Sequence, residues 1–242
     1  MTYIIAHRGA CTHTKENTLE AYQKAIEIGA DMIELDVRRT KDRVFIVFHD
    51  EKIDDQPIEK ITYEEVLRCS QKHGFQIPTL EAILKITVGK IMLDVELKEK
   101  GYESEVIELV QKYYKEDEFV MTSFHDVSIK QIKSIFPQVT AGLLLGKGKS
   151  KFLLFTRIAE LFPMIRCFKA RADFLAPNWR LLQLGFLKRV RCCQKPVFVW
   201  TVNDEKLMKK LIKEKKVYAL ITDKPDVAIH IRDEVPFKNR RR

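Results

Sequence analysis

The order of elements along this chain constrains its fold more than any single motif does. Short blocks rich in Ile, Val, Leu and Phe alternate with helix-periodic segments from residue 3 to residue 231. Strand-like blocks occupy residues 3–6, 32–37, 90–96, 118–122, 139–145, 174–177, 197–201 and 218–222. Helical periodicity covers residues 18–28, 104–114, 126–135, 152–168, 179–192, 204–215 and 225–231. Eight strands with a helix-sized crossover after nearly every one predict an α/β fold, a (β/α)8 barrel of the TIM type. In that architecture parallel strands are buried between an inner layer of side chains and an outer ring of helices. A chain of 242 residues has room for one such core, and the expectation is a single domain over residues 1–236.

A ninth β-like run at residues 44–48 follows the second strand too closely for a helical crossover. It is read as the return arm of a hairpin turning around residues 40–42, within a small insertion spanning approximately residues 38–78. A register that sets Ile46 across from Val37 also sets His49 across from Glu34, on the rim to which the second strand delivers its carboxylates. Helical segments at residues 63–71 and 80–86 then complete the crossover to the third barrel strand.

Composition removes several alternatives. With 45% hydrophobic residues and no low-complexity tract, the chain is not expected to be disordered. It contains no run of eighteen apolar residues, so no helical membrane span is expected, and its first residues are too quickly charged for a secretory leader. Five cysteines without a CxxC pair read as free thiols in a reducing cytoplasm. The net charge of +9 is unevenly spread: residues 1–120 hold 17 Lys/Arg against 24 Asp/Glu, and residues 121–242 hold 26 against 10. An acidic half beside a basic half suits a metal ion next to a phosphate, and draws the protein toward anionic substrates or lipid surfaces. The basic residues form no finger, RNP or helix-turn-helix signature, so nucleic acid is not an expected partner. The tail from Lys238 to Arg242 reads as a solvated terminus.

Chemistry in a barrel collects where strands end. Here those ends carry His7-Arg8-Gly9, Glu34-Leu35-Asp36, His49-Asp50 after the hairpin, and Glu96-Leu97-Lys98. Glu34 and Asp36, two residues apart on an extended strand, share a face, and Glu96 adds a third carboxylate from the neighbouring strand. Three oxygen ligands without thiolates or a histidine triad fit a hard divalent ion, Mg²⁺ or Ca²⁺. Asp94 shares the Glu96 face, as another ligand or as an acid lower in the barrel holding Lys98 or a histidine. His7 and His49 form a candidate acid/base pair, because metal-assisted phosphodiester cleavage needs one proton removed and one delivered. His7 is expected to act as base and His49 as acid, although residue identity alone leaves the reverse order open. Arg8 offers a fork to phosphate oxygens, Lys98 a charge for the transition state, and Gly9 a tight turn beside a bound anion. Asn17, just before a helix capped by Thr18, can orient a metal ligand or phosphate, with Glu16 steadying the ion or Arg8. His13, His73, His125 and His230 read as ordinary polar histidines.

The ordered set His7-Arg8-Gly9, Glu16-Asn17-Thr18, Gly29 to Val37 with Glu34 and Asp36, His49-Asp50, Ile77-Pro78-Thr79-Leu80, Glu96-Leu97-Lys98, Trp200-Thr201-Val202-Asn203 and Ile221-Thr222-Asp223 resembles the glycerophosphodiester phosphodiesterase family. The likeness runs over residues 3–227. It implies a TIM-type barrel that hydrolyses glycerophosphodiesters, with a divalent metal, to glycerol 3-phosphate and an alcohol. It also implies Glu34, Asp36 and Glu96 as metal ligands, His7 and His49 as the acid/base pair, Arg8 and Lys98 as phosphate contacts, and Trp200 as a pocket wall. Where family members continue past His-Asp with a Leu-x-Arg-Thr-Thr-like stretch, this chain has Glu51-Lys52-Ile53-Asp54-Asp55, a departure that bears on the insertion and the fit of substrate.

Residues 147–171 contain seven Lys/Arg, one Glu and many apolar residues at helical spacing. The segment reads either as the fifth barrel helix packed on the strands or as an interfacial element meeting anionic phospholipid. Two other functions are carried forward: cleavage of a lysophospholipid at a membrane surface, and a non-catalytic barrel that binds phosphate-containing ligands.

Overall fold

Strand pairing follows the sequence order closely. In the computed structural model, which describes residues 1–12, 14–146, 163–182, 185–190, 194–213 and 217–234, eight strands form one parallel sheet. They are β1 (Tyr3–His7), β2 (Met32–Arg39), β3 (Met92–Leu97), β4 (Phe119–Ser123), β5 (Thr140–Leu145), β6 (Phe174–Pro177), β7 (Phe198–Val199) and β8 (Ala219–Thr222). The ring runs β7-β8-β1-β2-β3-β4-β5-β6, and parallel bridges Leu175 to Val197 and Asn178 to Trp200 join its two ends. Helices alternate with the strands: α1 (Leu19–Ile28), α2 (Tyr63–Lys72), α3 (Leu80–Thr87), α4 (Glu103–Gln111), α5 (Asp126–Ile135), α6 (Met164–Ala170), α7 (Trp179–Leu182), α8 (Phe186–Val190), α9 (Glu205–Lys213) and α10 (Pro225–Glu234). This is a (β/α)8 barrel of the TIM type. No helix among the described residues is long and apolar enough to cross a membrane.

Local chemistry sets the helix starts. The Thr18 hydroxyl accepts the Ala21 N–H at 3.2 Å, and Thr62 and Glu65 close a reciprocal capping box at the head of α2. The period of two then divides each strand between two layers. On β2, Ile33, Leu35 and Val37 face the helices, while Met32 joins Ile5, Val120, Leu144, Phe174 and Ile221 in the barrel interior. Glu34 and Asp36 follow Met32 on the inward side.

The barrel is narrow where β5 passes β6. A Cβ built on Gly142 would lie 2.1 Å from the Phe174 ring, which itself stacks on Phe198 at 4.1 Å. Gly142→Ala is expected to cost about 1–3 kcal/mol through overpacking, with partial rescue by Phe174→Leu. Denaturant unfolding of the two single variants and the double variant checks this.

Two expectations are corrected. The hairpin's return arm, Phe45–Val47, pairs antiparallel with β2 in a register one residue away from the expected one: Val37 meets Val47, and Arg38 meets Ile46. The reason lies in two cores. Val47 packs with Val37 in the main core, whereas Ile46 turns to a separate cluster with Ile53, Ile58, Ile61, Val66 and Ile77 in the insertion. The expected register would have swapped both side chains into the wrong core. His49 therefore lies beyond the ladder rather than across from Glu34. The single helix expected over residues 179–192 is instead two short helices, α7 and α8, with a turn at Gly185. The insertion also contains an unanticipated ribbon pairing Lys52–Ile53 with Gln56–Pro57. Cys11, Cys69 and Cys167 are free thiols. Cys192, Cys193, His13, the tail from Lys238, and residues 147–162 of the basic apolar segment lie outside the described residues.

Candidate active site

Register brings the polar residues together. His7 pairs with Glu34 between β1 and β2, and Asp36 pairs with Glu96 between β2 and β3. Their inward faces meet at the C-terminal rim of the barrel, around a cavity of about 430 Å³. Its walls include His7, Arg8, Glu34, His49, Glu96 and Lys98, with Trp200 and Phe124 opposite.

The chain leaves β1 through strained backbone. Arg8 and Asn17 hold φ of 56° and 57°, which a residue with a Cβ adopts only when its surroundings over-determine it. The Arg8 N–H donates to Glu34 Oε2 at 3.0 Å, its Nε lies 3.1 Å from Asp36 Oδ2, and its Nη1 donates to Glu16 Oε1 at 2.9 Å. Asn17 donates its amide to Asp36 Oδ2 at 2.9 Å and accepts the Tyr22 hydroxyl at 2.6 Å. Asn17 is thus buried behind Asp36 and is not among the described residues lining the cavity. The two outward ends of the Asp36 carboxylate are covered by Arg8 and Lys98.

Glu34, Asp36 and Glu96 are all buried, and ligand oxygens of the three lie within 4.8 Å of one another. Lys98 Nζ stands 3.0 Å from Asp36 Oδ1 and 2.7 Å from Glu96 Oε1. Burial, then the charges of Asp36 and Glu96, pushes the Glu34 carboxyl well above the ordinary range. Burial also raises Glu96, against the pull of Lys98. Asp36 goes the other way: burial opposes its ionisation, but Lys98 and Arg8 hold it well below the usual carboxylate value. Packing three carboxylates here leaves at least one reluctant to ionise, and that reluctance is what a divalent cation with oxygen ligands removes. The donor set fits a divalent metal ion. Asp94 sits outside this cluster of ligand atoms; it accepts the Thr122 hydroxyl at 2.7 Å, and burial pushes it up to about 7.

Each rim histidine is held at Nδ1 by an aspartate. His7 Nδ1 lies 2.6 Å from Asp223 Oδ1, which leaves Nε2 on the side of Glu34, 3.9 Å from Oε2. His49 Nδ1 lies 2.8 Å from Asp50 Oδ1. Burial, followed by the Lys98 charge, lowers the proton affinity of His49 below the ordinary histidine value. Arg38 grips the His49 carbonyl with Nε at 3.0 Å and Nη2 at 2.7 Å, and its other arm meets Glu99. This clamp replaces the ladder pairing that the expected register would have supplied. Trp200 donates its indole N–H to Ala176 O at 2.7 Å, and its ring meets Phe124 in a T-shaped contact. His125 also reaches the cavity wall, whereas His73 and His230 form outlying pairs with Asp54 and Glu234.

Sequence reading assigned no role to Asp223, Arg38 or Asp50. Thr222-Asp223 was visible as a polar strand end, but its partner His7 is 216 residues away and only barrel closure joins them. Asn203 fixes Asp223 from behind, donating its amide to Oδ2 at 2.5 Å. Burial opposes ionisation of Asp223, yet the bond and charge of His7 together with the bonds from Asn203 and Cys11 outweigh it and hold the carboxyl at about 2, against 3.8 unperturbed. A carboxyl depressed on folding stabilises above its unfolded value, and that contribution is lost as pH falls through its folded value. Asp223→Asn is therefore expected to lower stability at neutral pH by on the order of 1–2 kcal/mol, allowing for partial exposure, and to flatten the acid limb between about pH 4 and pH 2. Melting temperatures of both proteins across that range test the sign.

A barrel with a buried three-carboxylate cation site, a guanidinium, an ammonium and two oriented histidines on one rim defines a metal-dependent hydrolase of phosphate esters. The model of the glycerophosphoryl diester phosphodiesterase family matches residues 7–227. A glycerophosphodiester phosphodiesterase of Bacillus altitudinis is 31% identical over 97% of this chain and 100% of its own length, and one of Caldanaerobacter subterraneus is 30% identical over 95% and 97%. The crystal structure of a glycerophosphodiester phosphodiesterase from Parabacteroides distasonis superposes with a TM-score of 0.78 at 26% identity, covering 96% of this chain and 97% of that one. The chain belongs to the glycerophosphoryl diester phosphodiesterase family. It is an enzyme of that hydrolase class, and its activity is metal-dependent hydrolysis of glycerophosphodiesters.

Proposed function

We propose that residues 1–236 act as one catalytic barrel, with the insertion at 38–78, that cleaves glycerophosphodiesters in the cytoplasm to glycerol 3-phosphate and the headgroup alcohol. One observation carries this reading: two histidines, each held by an aspartate, share one cavity with Glu34 and Glu96, behind which Asp36 completes a buried carboxylate trio. Glu34, Asp36 and Glu96 are the ligands of a Mg²⁺ or Ca²⁺ ion. When bound, the ion withdraws charge from the phosphoryl oxygens. Arg8 and Lys98, now turned to the carboxylates, exchange part of that contact for phosphate oxygens. Asn17 serves the site by fixing Asp36. Trp200 and Phe124 form the apolar wall against which the glycerol or alcohol carbons rest.

His7 takes the proton from the attacking hydroxyl, and His49 returns one to the departing alcohol as its P–O bond breaks. The attacking oxygen is the substrate's own C2 hydroxyl, which is tethered to phosphorus and closes a 1,2-cyclic phosphate. Water then opens the ring, with the histidines exchanging roles. Glycerophosphocholine and its 2-deoxy analogue are compared under single turnover with phosphorus NMR. The expected result is a transient cyclic phosphate from the first and very slow turnover of the second. Equal rates without a cyclic species would mean direct attack by water.

A further inference from the structure

Outside the cavity, one face of the barrel combines exposed apolar side chains with unbalanced positive charge. Phe168 is 86% exposed, Ile165 67%, Val127 62% and Met164 37%. Met164 and Ile165 lie four and three residues before Phe168 on α6, so they share its side of that helix, and Val127 lies in the first turn of the neighbouring helix α5. Between the two helices runs a groove whose lining includes Val127, Phe168, Lys130, Lys169, Arg171 and Lys195. All four of these cations are exposed. The one acid among the described residues of this lining, Asp126, is neutralised by Arg166, whose Nη2 lies 2.6 Å from Oδ1. That ion pair also ties α6 to α5.

A folded protein seldom leaves a Phe this open, and apolar patches rimmed by charge mark interaction surfaces. Apolar side chains projecting from a basic surface are the composition of an element that lies in a bilayer interface, where the ammonium and guanidinium groups meet phosphates and the rings enter the acyl boundary. The position fits the active site. His125, two residues before Val127, lines the catalytic cavity, so the face begins at the rim where substrate enters.

We propose that the α5–α6 face, through Phe168, Ile165 and Val127 with Lys130, Lys169, Arg171 and Lys195, docks the enzyme on anionic phospholipid bilayers. The docking lays the barrel on its side, since Val127 adjoins the cavity rim while Arg171 and Lys195 precede the starts of β6 and β7 at the other end. It extends the proposed function to where substrate is met, but binding is read without turnover, so the two readings fail separately.

The test is co-sedimentation of the full chain with vesicles of phosphatidylcholine alone and of phosphatidylcholine with phosphatidylglycerol. Binding is expected only to the anionic vesicles, weakened by salt because Lys and Arg charges at a surface are screened within a Debye length of about 10 Å at 0.1 M. Phe168→Ser with Ile165→Ser, and separately Lys130→Glu with Lys169→Glu, should each weaken it by about tenfold or more. All these positions are exposed, and hydrolysis of soluble glycerophosphocholine should stay at the wild-type rate, which also reports that the variants are folded. Absence of wild-type binding to anionic vesicles overturns the proposal. So does full binding by the Phe168/Ile165 variant, which would assign attraction to charge elsewhere, such as the tail from Lys238. Competition by RNA as strong as by anionic vesicles, undiminished in the Phe168/Ile165 variant, overturns it in favour of a polyanion site.

Discussion

Glu34→Gln and Asp36→Asn should each reduce hydrolysis of glycerophosphocholine by more than the roughly 10²-fold that loss of a partner outside the ligand set costs a metal site. Both should weaken Mg²⁺ and Ca²⁺ binding in calorimetric titration. Their effects on metal-free stability should differ in sign. Glu34 is pushed upward by burial and by two neighbouring carboxylates, so a neutral amide relieves repulsion and leaves stability unchanged or raised. Asp36 balances Lys98 and Arg8 and accepts the Asn17 amide, so its loss leaves two buried cations short of a partner and costs about 3–5 kcal/mol. An inactive Glu34→Gln protein that melts no lower than wild type cannot be explained by misfolding. Unchanged metal affinity in both variants would remove the ion from this site.

His7→Ala and His49→Ala should each lower turnover by about 10²–10⁴-fold while metal affinity falls much less. A substrate whose leaving alcohol is already acidic needs no proton from the enzyme, so it should partly rescue the variant lacking the acid and leave the other slow. With His49 as acid, rescue belongs to His49→Ala. The same order fixes a pH dependence. Because burial and Lys98 lower the proton affinity of His49, its protonated form becomes scarce below the ordinary histidine value of 6.5, and the alkaline limb of kcat/KM should begin there. The Arg38 clamp on the His49 carbonyl means that this ring is placed by the hairpin as much as by its own strand end. Rescue of His7→Ala instead would reverse the two roles.

Much of this was legible in one dimension because barrels repeat. Each strand is a short apolar block, each crossover a helix-length stretch, and the eight blocks appear within a few residues of the observed strands. Same-face placement of Glu34 with Asp36 follows from the two-residue period of any strand. The polar interruptions at His7-Arg8, Glu34, Asp36 and Glu96-Lys98 mark the rim because a buried strand has no other reason to end in charge. The hairpin was visible too, since six residues cannot carry a parallel crossover.

Where that information stopped, the cause was competition between non-local contacts. The hairpin register depended on which of two cores would receive Ile46 and Val47, and a one-residue slip exchanges them. Asp223 became the partner of His7 only because β8 closes beside β1. Arg38 could have joined any nearby carboxylate, and it was the path of the chain after Val47 that put the His49 carbonyl within its reach. Asn17 read as orienting either a metal ligand or a phosphate, and Tyr22 with the turn at Arg8 decides between them by drawing it behind Asp36. By itself, then, the sequence determined the barrel and the gathering of three carboxylates and two histidines at one rim, because these rest on periodicity and on residues close in the chain or on strand ends that any such barrel gathers. The tertiary structure alone decided how each histidine is oriented and which carboxylates are strained, because those depend on distances between groups up to 216 residues apart and on the burial that their shared cavity imposes.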